Sequence, residues 1–290
     1  MTITTNENRL IQLSLQGLIS HPSQAGYLVD RTGRPRILPG IGGITYNLRL
    51  GDPAYGWAGD HVEPEVSLWN PNKADSEALN ILACIGNEVT VTQGDAKGEK
   101  GYVIGRHSGA EHVMIHFPNS TALDHMMVGD SMLIRAWGQG IVVAGYEDMV
   151  INCLDPRLLN KIVKIGQGDC LEVPVVAEIP GLFMGSGIGM HSYRGDYDIM
   201  SSDEEMARKQ GFDQLRLGDL VLLQDCWNDF GRGRLQGAVS IGVIVHSDCV
   251  LAGHGPGVVN VLSSKSGKIE GRLDPEANLI HYMDWIESHE

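Results

Sequence analysis

"EVTVTQGDAKGEKGYVIG", residues 88–105, decides the fold class. Val89 and Val91 alternate with polar neighbours, a Gly/Asp/Lys cluster breaks the run, and a second apolar run follows through Tyr102, Val103 and Ile104. Alternation with period two on either side of turn-forming residues is what a β-hairpin with one buried face requires. "HVMIHF" (112–117) continues the pattern, so the hairpin extends into a meander. Along the whole chain, 37 glycines stand against 4 phenylalanines, and short Val/Ile/Leu runs end at Gly or Asp. The expected fold is therefore mainly β with a few short helices (α+β), arranged as two β-rich modules that are barrel- or sandwich-like.

Helix signals are local. In "DPRLLNKIVKIGQGD" (155–169) Asp155 and Pro156 fit an N-cap and first helical residue, with Gly166 as the stop. "SSDEEMARKQG" (201–211) places Ser202 three residues before Glu205, as a capping box does, and ends on Gly211. "NLIHYMDWIES" (278–288) sets Leu279, Tyr282, Met283 and Ile286 on one face of a last helix. "TALDHMMVGDSMLIRAWGQGIVV" (121–143) reads as a helical turn followed by two strands around Gly138 and Gly140. Its phrase of Gly-Asp, apolar strand, Trp and glycines returns in "LGDLVLLQDCWNDFGRG" (217–233), either as one unit used twice or as a shared strand-entry turn. At 290 residues the chain suits two modules, with the boundary expected near residue 155: an N-terminal module over 1–154 and a C-terminal one over 155–290.

Composition excludes several functions. A formal net charge of −14 opposes binding to nucleic-acid phosphates, which needs clustered Lys and Arg. No segment approaches the roughly 20 apolar residues of a membrane-spanning helix, and the first residues lack the pattern of a signal peptide. The five cysteines, Cys84, Cys153, Cys170, Cys226 and Cys249, form no CxxC pair, which argues against a cysteine-based structural zinc site. A cytoplasmic protein with reduced thiols is expected. Met126, Met127, Trp137 and Trp227 in loop-like segments suggest subunit contacts and hence a homo-oligomer.

The residues with chemistry gather in glycine-rich loops. "HSDCVLAGHGPGV" (246–258) follows the strand-like "AVSIGVIV", so His246 and Asp248 fall at a strand end and His254 in a loop that glycine frees and proline fixes. "GLFMGSGIGMHSYRGDYDIMS" (181–201) adds Asp196 and Asp198, a carboxylate pair suited to a divalent ion or to acid–base work, or else an Asx-stabilised turn. Gly187, Gly189, His191 and Arg194, with Gly255, are expected to bind ligand. Without a strand before it and a helix after it, GSGIG is not read as a dinucleotide loop. "GDPAYGWAGDHVEPEVSL" (51–68) carries Asp60, His61, Glu63 and Glu65; extended backbone would align the last three on one side as a metal face, against the plainer reading of an acidic surface turn. No GxSxG marks an activated serine, and Cys249 has no base assigned to it by sequence.

"MGSGIG", "GDYDIM", "LRLGDLVLLQD", "GAVSIGVIVHSD" and "AGHGPGV", in this order and with "GDPAYGWAGDHVEPEVSL" and "IRAWGQG" before them, resemble the prokaryotic domain of unknown function 4438 family over most of the chain. That resemblance implies no activity. "GIGMHSYRGDYDIM" and "LRLGDLVLLQD" are also similar to segments of the acetamidase/formamidase hydrolases, but "NDFGRGRLQG" stands where those enzymes carry a GDGE-type signature. The 88–105 hairpin is similar to one in ribosomal and elongation proteins, which without a basic surface implies shared hairpin chemistry and no RNA binding.

Two functions fit these residues. The first is a metal-assisted hydrolase or lyase for a small polar substrate, in which His246, Asp248 and His254 act in catalysis and Asp196, Asp198, His246 and His254 hold zinc or manganese. The alternative is a non-catalytic small-ligand-binding or structural oligomer whose loops only close the β-modules.

Overall fold

The computed structural model describes residues 2–24 and 26–286. The N-terminal half is a barrel. Its strands are β1 (Leu13–Ile19), β2 (Glu65–Trp69), β3 (Glu88–Val91), β4 (Lys100–His107), β5 (His112–His116) and β6 (Ser131–Ala136), joined in the order β1-β6-β3-β4-β5-β2. β2 pairs back onto β1 through Leu18–Trp69 and Ile19–Leu68, which closes the sheet and removes its edges. The hairpin forms as expected, with Val89 opposite Gly101 and Thr90 opposite Lys100. Inside lie Val66, Leu68, Val89, Val91, Val103, Ile115, Met132 and Ile134, with Phe117 and Leu79 closing the ends. Leu79 comes from helix α1 (Lys73–Leu82), capped by Asn72.

The C-terminal half centres on an open sheet of β7 (Val150–Ile151), β8 (Ala177–Pro180), β9 (Tyr197–Asp198), β10 (Leu220–Trp227), β11 (Gly233–His246) and β12 (Gly257–Ser264). Its order is β7-β12-β11-β10-β8, with β9 also paired to β12. A second sheet of Lys164–Ile165, Leu171–Val175 and Ile269–Leu273 lies beside it. The molecule is thus mainly β, with helices α2 (Pro156–Ile162) and α3 (Glu204–Gln210) besides α1.

β4 joins the halves. Val103 points into the barrel, whereas its neighbours Tyr102 and Ile104 point outward into a second core with Val243, Val245, Val259, Leu158 and Leu279. Both faces of β4 are therefore buried. At Gly105 a side chain has no room, since a Cβ there would sit 2.4 Å from Val245 Cγ1. The bare backbone lets β11 lie close against β4, and the two strands end together at His107 and His246.

The repeated Gly-Asp phrase is a strand-entry turn. Gly129 and Gly218 take φ of 92° and 86°, a left-handed conformation favourable only to glycine. The following aspartates accept from the backbone N–H three residues back, Asp130 from Met127 at 2.8 Å and Asp219 from Arg216 at 2.7 Å. A third copy at Gly51 and Asp52 accepts from Arg49 at 2.7 Å. Here the likeness is verbatim, because LRLGD occupies both 48–52 and 215–219. The two copies pair, with Gly51 N to Leu217 O and Leu217 N to Asp52 O both at 2.9 Å. This pairing carries the loop after residue 52 out of the barrel half and onto the C-terminal sheet.

Several local expectations are corrected. α2 begins with Asp155 and Pro156 as expected but stops at Ile162, where Val163 turns extended, short of Gly166. The cap of α3 is Asp203, whose side chain accepts from Met206 N, in place of Ser202, while Gly211 ends the helix left-handed as expected. Of the two strands around Gly138, only β6 forms; Val143 makes an isolated bridge to Thr5. Leu279–His281 is a single 3-10 turn in place of a last helix, and residues 287–288 of that expectation lie outside the described residues. Met126 belongs to the barrel core, so it offers no surface to a partner. Among the described residues no helix is long and apolar enough to cross a membrane.

Candidate metal centre

The strand ends at His107 and His246 are the floor of a buried polar cluster. Their rings lie 4.4 Å apart. Asp196, just before β9, reaches between them: its Oδ2 is 2.7 Å from His246 Nε2, and its Oδ1 accepts from Ser108 N. Two residues further, Asp198 faces His254 Nδ1 at 2.8 Å. His61 arrives on the loop that the paired LRLGD segments redirect, held by His61 N to Asp248 O at 3.2 Å and Ser247 N to Val62 O at 3.0 Å. Its φ of 51° is unusual for a residue with a side chain and marks a backbone held by its surroundings.

The hydrogen bonds fix which ring nitrogen faces the centre. His246 Nδ1 lies 2.8 Å from the Ser247 carbonyl, which only accepts, so Nδ1 carries hydrogen and Nε2 faces Asp196. His107 Nδ1 lies 2.6 Å from Glu63 Oε1, and His61 Nδ1 3.0 Å from Asp60 Oδ2. Burial raises the Glu63 pKa, yet the bonds from His107 and His112 outweigh it and hold the carboxyl well below its usual range. Asp60 behaves alike: burial opposes ionisation, and the bonds from His61 and Cys249 still bring it down to about 2. Both are therefore ionised acceptors, and each imidazole has one nitrogen committed outward and the other aimed inward. A carboxylate or carbonyl behind the imidazole is the arrangement that orients histidine ligands on metals.

Electrostatics concentrate on the inner atoms. Burial lowers the His61 pKa, but Asp198 and Asp60 overcome it and push it up to about 11. Burial likewise pulls down His246, and Asp196 drives it well above the ordinary histidine value. Asp196 and Asp198 are held low against burial by the same histidines. Such a cluster has strong affinity for positive charge at its centre, whether protons or a metal cation supply it. Two groups each offer mutually close ligand atoms: His61, Cys249 and His254, and His107, Asp196 and His246, within 4.8 Å in each group. A cavity of about 290 Å³ opens over them, bordered by Ser108, Ser186, Gly187, Met190 and His254.

Gly257 makes the centre physically possible. A Cβ there would fall 2.1 Å from His246 Nε2 and 2.4 Å from Asp196 Oδ2. Only the hydrogen of glycine leaves that space free.

The structure brings together His246, His254, Asp196 and Asp198, and puts Gly187 at the cavity wall. Asp248 is near in sequence but faces elsewhere: its carboxylate accepts from Ser201 Oγ and from Cys249 N. His191 stacks on Tyr193, and Arg194 reaches Glu77 at 3.5 Å; neither borders the cavity. Gly189 is open to solvent, and Gly255 packs where a Cβ would meet Ile199 O at 1.8 Å, a close backbone approach without ligand contact. The expected one-sided row of His61, Glu63 and Glu65 does not form, since φ values of 51° at His61 and 52° at Glu65 break the extended alternation. His61 enters the centre, Glu63 stands behind His107 and His112, and Glu65 turns away toward His116. His107 was not singled out by its sequence context; its only local signal is a strand end before a glycine turn.

Fold and site together define a β-barrel joined to an open β-sheet, with a histidine–aspartate centre where the two meet. The chain belongs to the DUF4438 family: the model described as "Domain of unknown function (DUF4438), N-terminal" matches residues 27–160, and the corresponding C-terminal model matches 161–283. A solved structure titled "Crystal structure of TM1086" is similar at 45% identity and a TM-score of 0.92, over 97% of this chain and 99% of that one. No protein of curated function matches the chain, and the resemblance to acetamidase/formamidase hydrolases is not shown by any comparison.

Proposed function

We propose that the protein is a metal-assisted hydrolase or lyase acting on a small polar substrate. The observation that carries this reading is the set of His61, His107 and His246, each with Nδ1 tied to an acceptor and Nε2 turned toward Asp196 or Asp198 beneath a cavity. Mixed imidazole and carboxylate donors suit zinc or manganese, whereas oxygen donors alone suit calcium or magnesium. When bound, a divalent ion polarises a carbonyl or phosphoryl oxygen and lowers the pKa of water. The chain's own residues do the rest. Glu63, Asp60 and the Ser247 carbonyl hold the imidazoles in register, while Ser108, Ser186 and the Gly187 backbone offer polar contacts to a substrate in the cavity. Asp248 stands outside this centre on this reading, because Ser201 Oγ and Cys249 N both bond to its Oδ1 and it lines a separate pocket with Arg31 and Tyr55.

Elemental analysis of protein purified without chelator tests the reading. Zinc or manganese at one ion or more per chain is expected, with loss of most of it in His246→Ala. Metal-free protein that takes up neither ion overturns it. A homo-oligomer belongs to the same proposal, supported by the exposed Met127 and Phe230, 64% and 75% accessible; light scattering that returns a monomer mass refutes that part.

A further inference from the structure

We infer that the centre is built for two ions bridged by Asp198, and that its two halves differ in metal preference. This rests on the metal reading above and extends it. The first ground is the donor set. His61, Cys249 and His254 form one group and His107, Asp196 and His246 another, each compact enough for one ion. With Asp198 added, the donors exceed the four positions of tetrahedral zinc and the six of an octahedral ion. One ion would leave several of these buried atoms unserved.

The second ground is the position of Asp198. Its Oδ1 lies 3.6 Å from His246 Nε2 in one group. Its Oδ2 lies 2.8 Å from His254 Nδ1 and 3.7 Å from His61 Nε2 in the other. A carboxylate whose oxygens serve different ligand groups is placed to bridge, and two-metal sites hold their ions about 3.5–4 Å apart. Asp198 is also anchored from behind, because β9 pairs with β12 through Asp198 and Gly257, the residue whose missing side chain clears the centre.

The third ground is the contact between His61 Nε2 and His254 Nδ1, 3.1 Å apart. Asp60 already takes the hydrogen on His61 Nδ1, so the hydrogen shared between His61 Nε2 and His254 Nδ1 is the one a cation bound there would displace. Cys249 Sγ completes that side. It lies 3.1 Å from Asp60 Oδ1 and accepts from Leu251 N at 3.2 Å, so binding an ion as thiolate releases one proton. Sulfur and two imidazoles favour a softer ion such as zinc. Two imidazoles and the Asp196 carboxylate accept zinc or manganese equally well. The cavity borders His61 and His254 of one group and His107 and Asp196 of the other, so one small substrate reaches both ions.

Cobalt(II) titration of chelator-stripped protein, followed by visible and near-ultraviolet absorption and by equilibrium dialysis, tests the inference. Two cobalt ions per chain are expected, with a thiolate-to-cobalt band in the near ultraviolet. Cys249→Ser is expected to lose that band, keep one tightly bound cobalt and bind the other at least tenfold more weakly. Asp198→Asn is expected to retain no more than one cobalt. A wild-type chain saturating at one cobalt, or a band unchanged in Cys249→Ser, overturns the two-ion centre and leaves the single-metal reading standing. A wild-type chain that binds no cobalt, zinc or manganese overturns both.

Discussion

Glu63 and Glu65 stand two residues apart, both fully buried and both bonded to histidine, yet they sit in opposite kinds of site. Glu65 is surrounded by donors: His116 Nδ1 at 2.6 Å and Leu50 N at 3.2 Å on one oxygen, Phe117 N at 2.9 Å and Arg49 at 3.3 Å on the other. That network is complete within the protein and does not border the cavity over the centre. Glu63 is equally well served, by Gly42 N, Ser67 Oγ, His107 and His112, but the histidine it holds passes the interaction on to a centre whose inner atoms bond one another beneath a cavity. Buried histidine–carboxylate pairs are thus no indication of function by themselves. What separates the two sites is that the inner atoms of one, with carboxylates on both sides of the imidazoles, line a cavity.

The largest expected effect breaks the closed network. Glu65→Ala leaves Arg49, His116 and two backbone N–H groups without their buried acceptor, and removing one partner of a buried pair costs about 3–5 kcal/mol. The midpoint of thermal unfolding should fall by on the order of 10 °C, while metal per folded chain stays unchanged. A Glu65→Ala protein of normal stability, or one that is stable but metal-free, removes the distinction drawn between the two carboxylates.

Next in size is metal removal. A ligand that binds only the native state stabilises by about 4 kcal/mol at a thousandfold excess over its dissociation constant. Chelation should therefore lower the unfolding midpoint of the wild type, and zinc or manganese should restore it. His246→Ala should show a smaller response to both. Equal melting of wild-type protein with and without chelator makes the inner cluster another closed network.

A smaller effect is expected at the rim. The His254 side chain is 30% exposed, against 0% for His246, so its truncation leaves a gap that water fills. His254→Ala should lose metal affinity at least tenfold while its unfolding free energy, measured metal-free, stays within about 1 kcal/mol of the parent. A large loss of metal-free stability assigns His254 to packing.

How much of this was legible depends on the range of the interactions. The 88–105 hairpin, the Asp155 cap and the Gly211 stop are set by neighbours a few residues apart, and all three read directly from the sequence. The concentration of chemistry-bearing residues near 196 and 246–254 was legible too, because glycine density and strand ends mark it locally; that the two segments meet was not. His107 was not legible. Its role arises where β4 docks on β11 through Gly105 and Val245, a contact between residues 140 positions apart in the chain. The arrangement of His61, Glu63 and Glu65 was misread for a related reason: the left-handed backbone at His61 and Glu65 goes with bonds to distant residues, His61 N to Asp248 O and Glu65 N to Leu48 O, and no local residue type announces it. The verbatim LRLGD pair was the one available long-range signal, since the two copies bond to each other and deliver His61 to its partners.

The smallest expected effect probes a third buried carboxylate, which resembles Glu65 in being used up but lies in a strand-entry turn. Asp219 accepts from Arg216 N at 2.7 Å and from Asn278 Nδ2 at 2.8 Å. Burial nevertheless dominates and raises its pKa above the usual aspartate value, with the bonds from Asn278 and Arg216 opposing. The sign follows from linkage. Between the unfolded and the raised folded pKa the native state holds a proton that the unfolded state has released, so the stability due to this group falls as pH rises through that window. Asp219→Asn removes the titration. Urea unfolding of parent and variant from pH 4 to 7 should show the parent's advantage shrinking with rising pH and then levelling, with the substitution itself costing about 1 kcal/mol. An advantage that grows with pH means the turn's hydrogen bonds outweigh its burial, and Asp219 then belongs with carboxylates that the fold needs ionised.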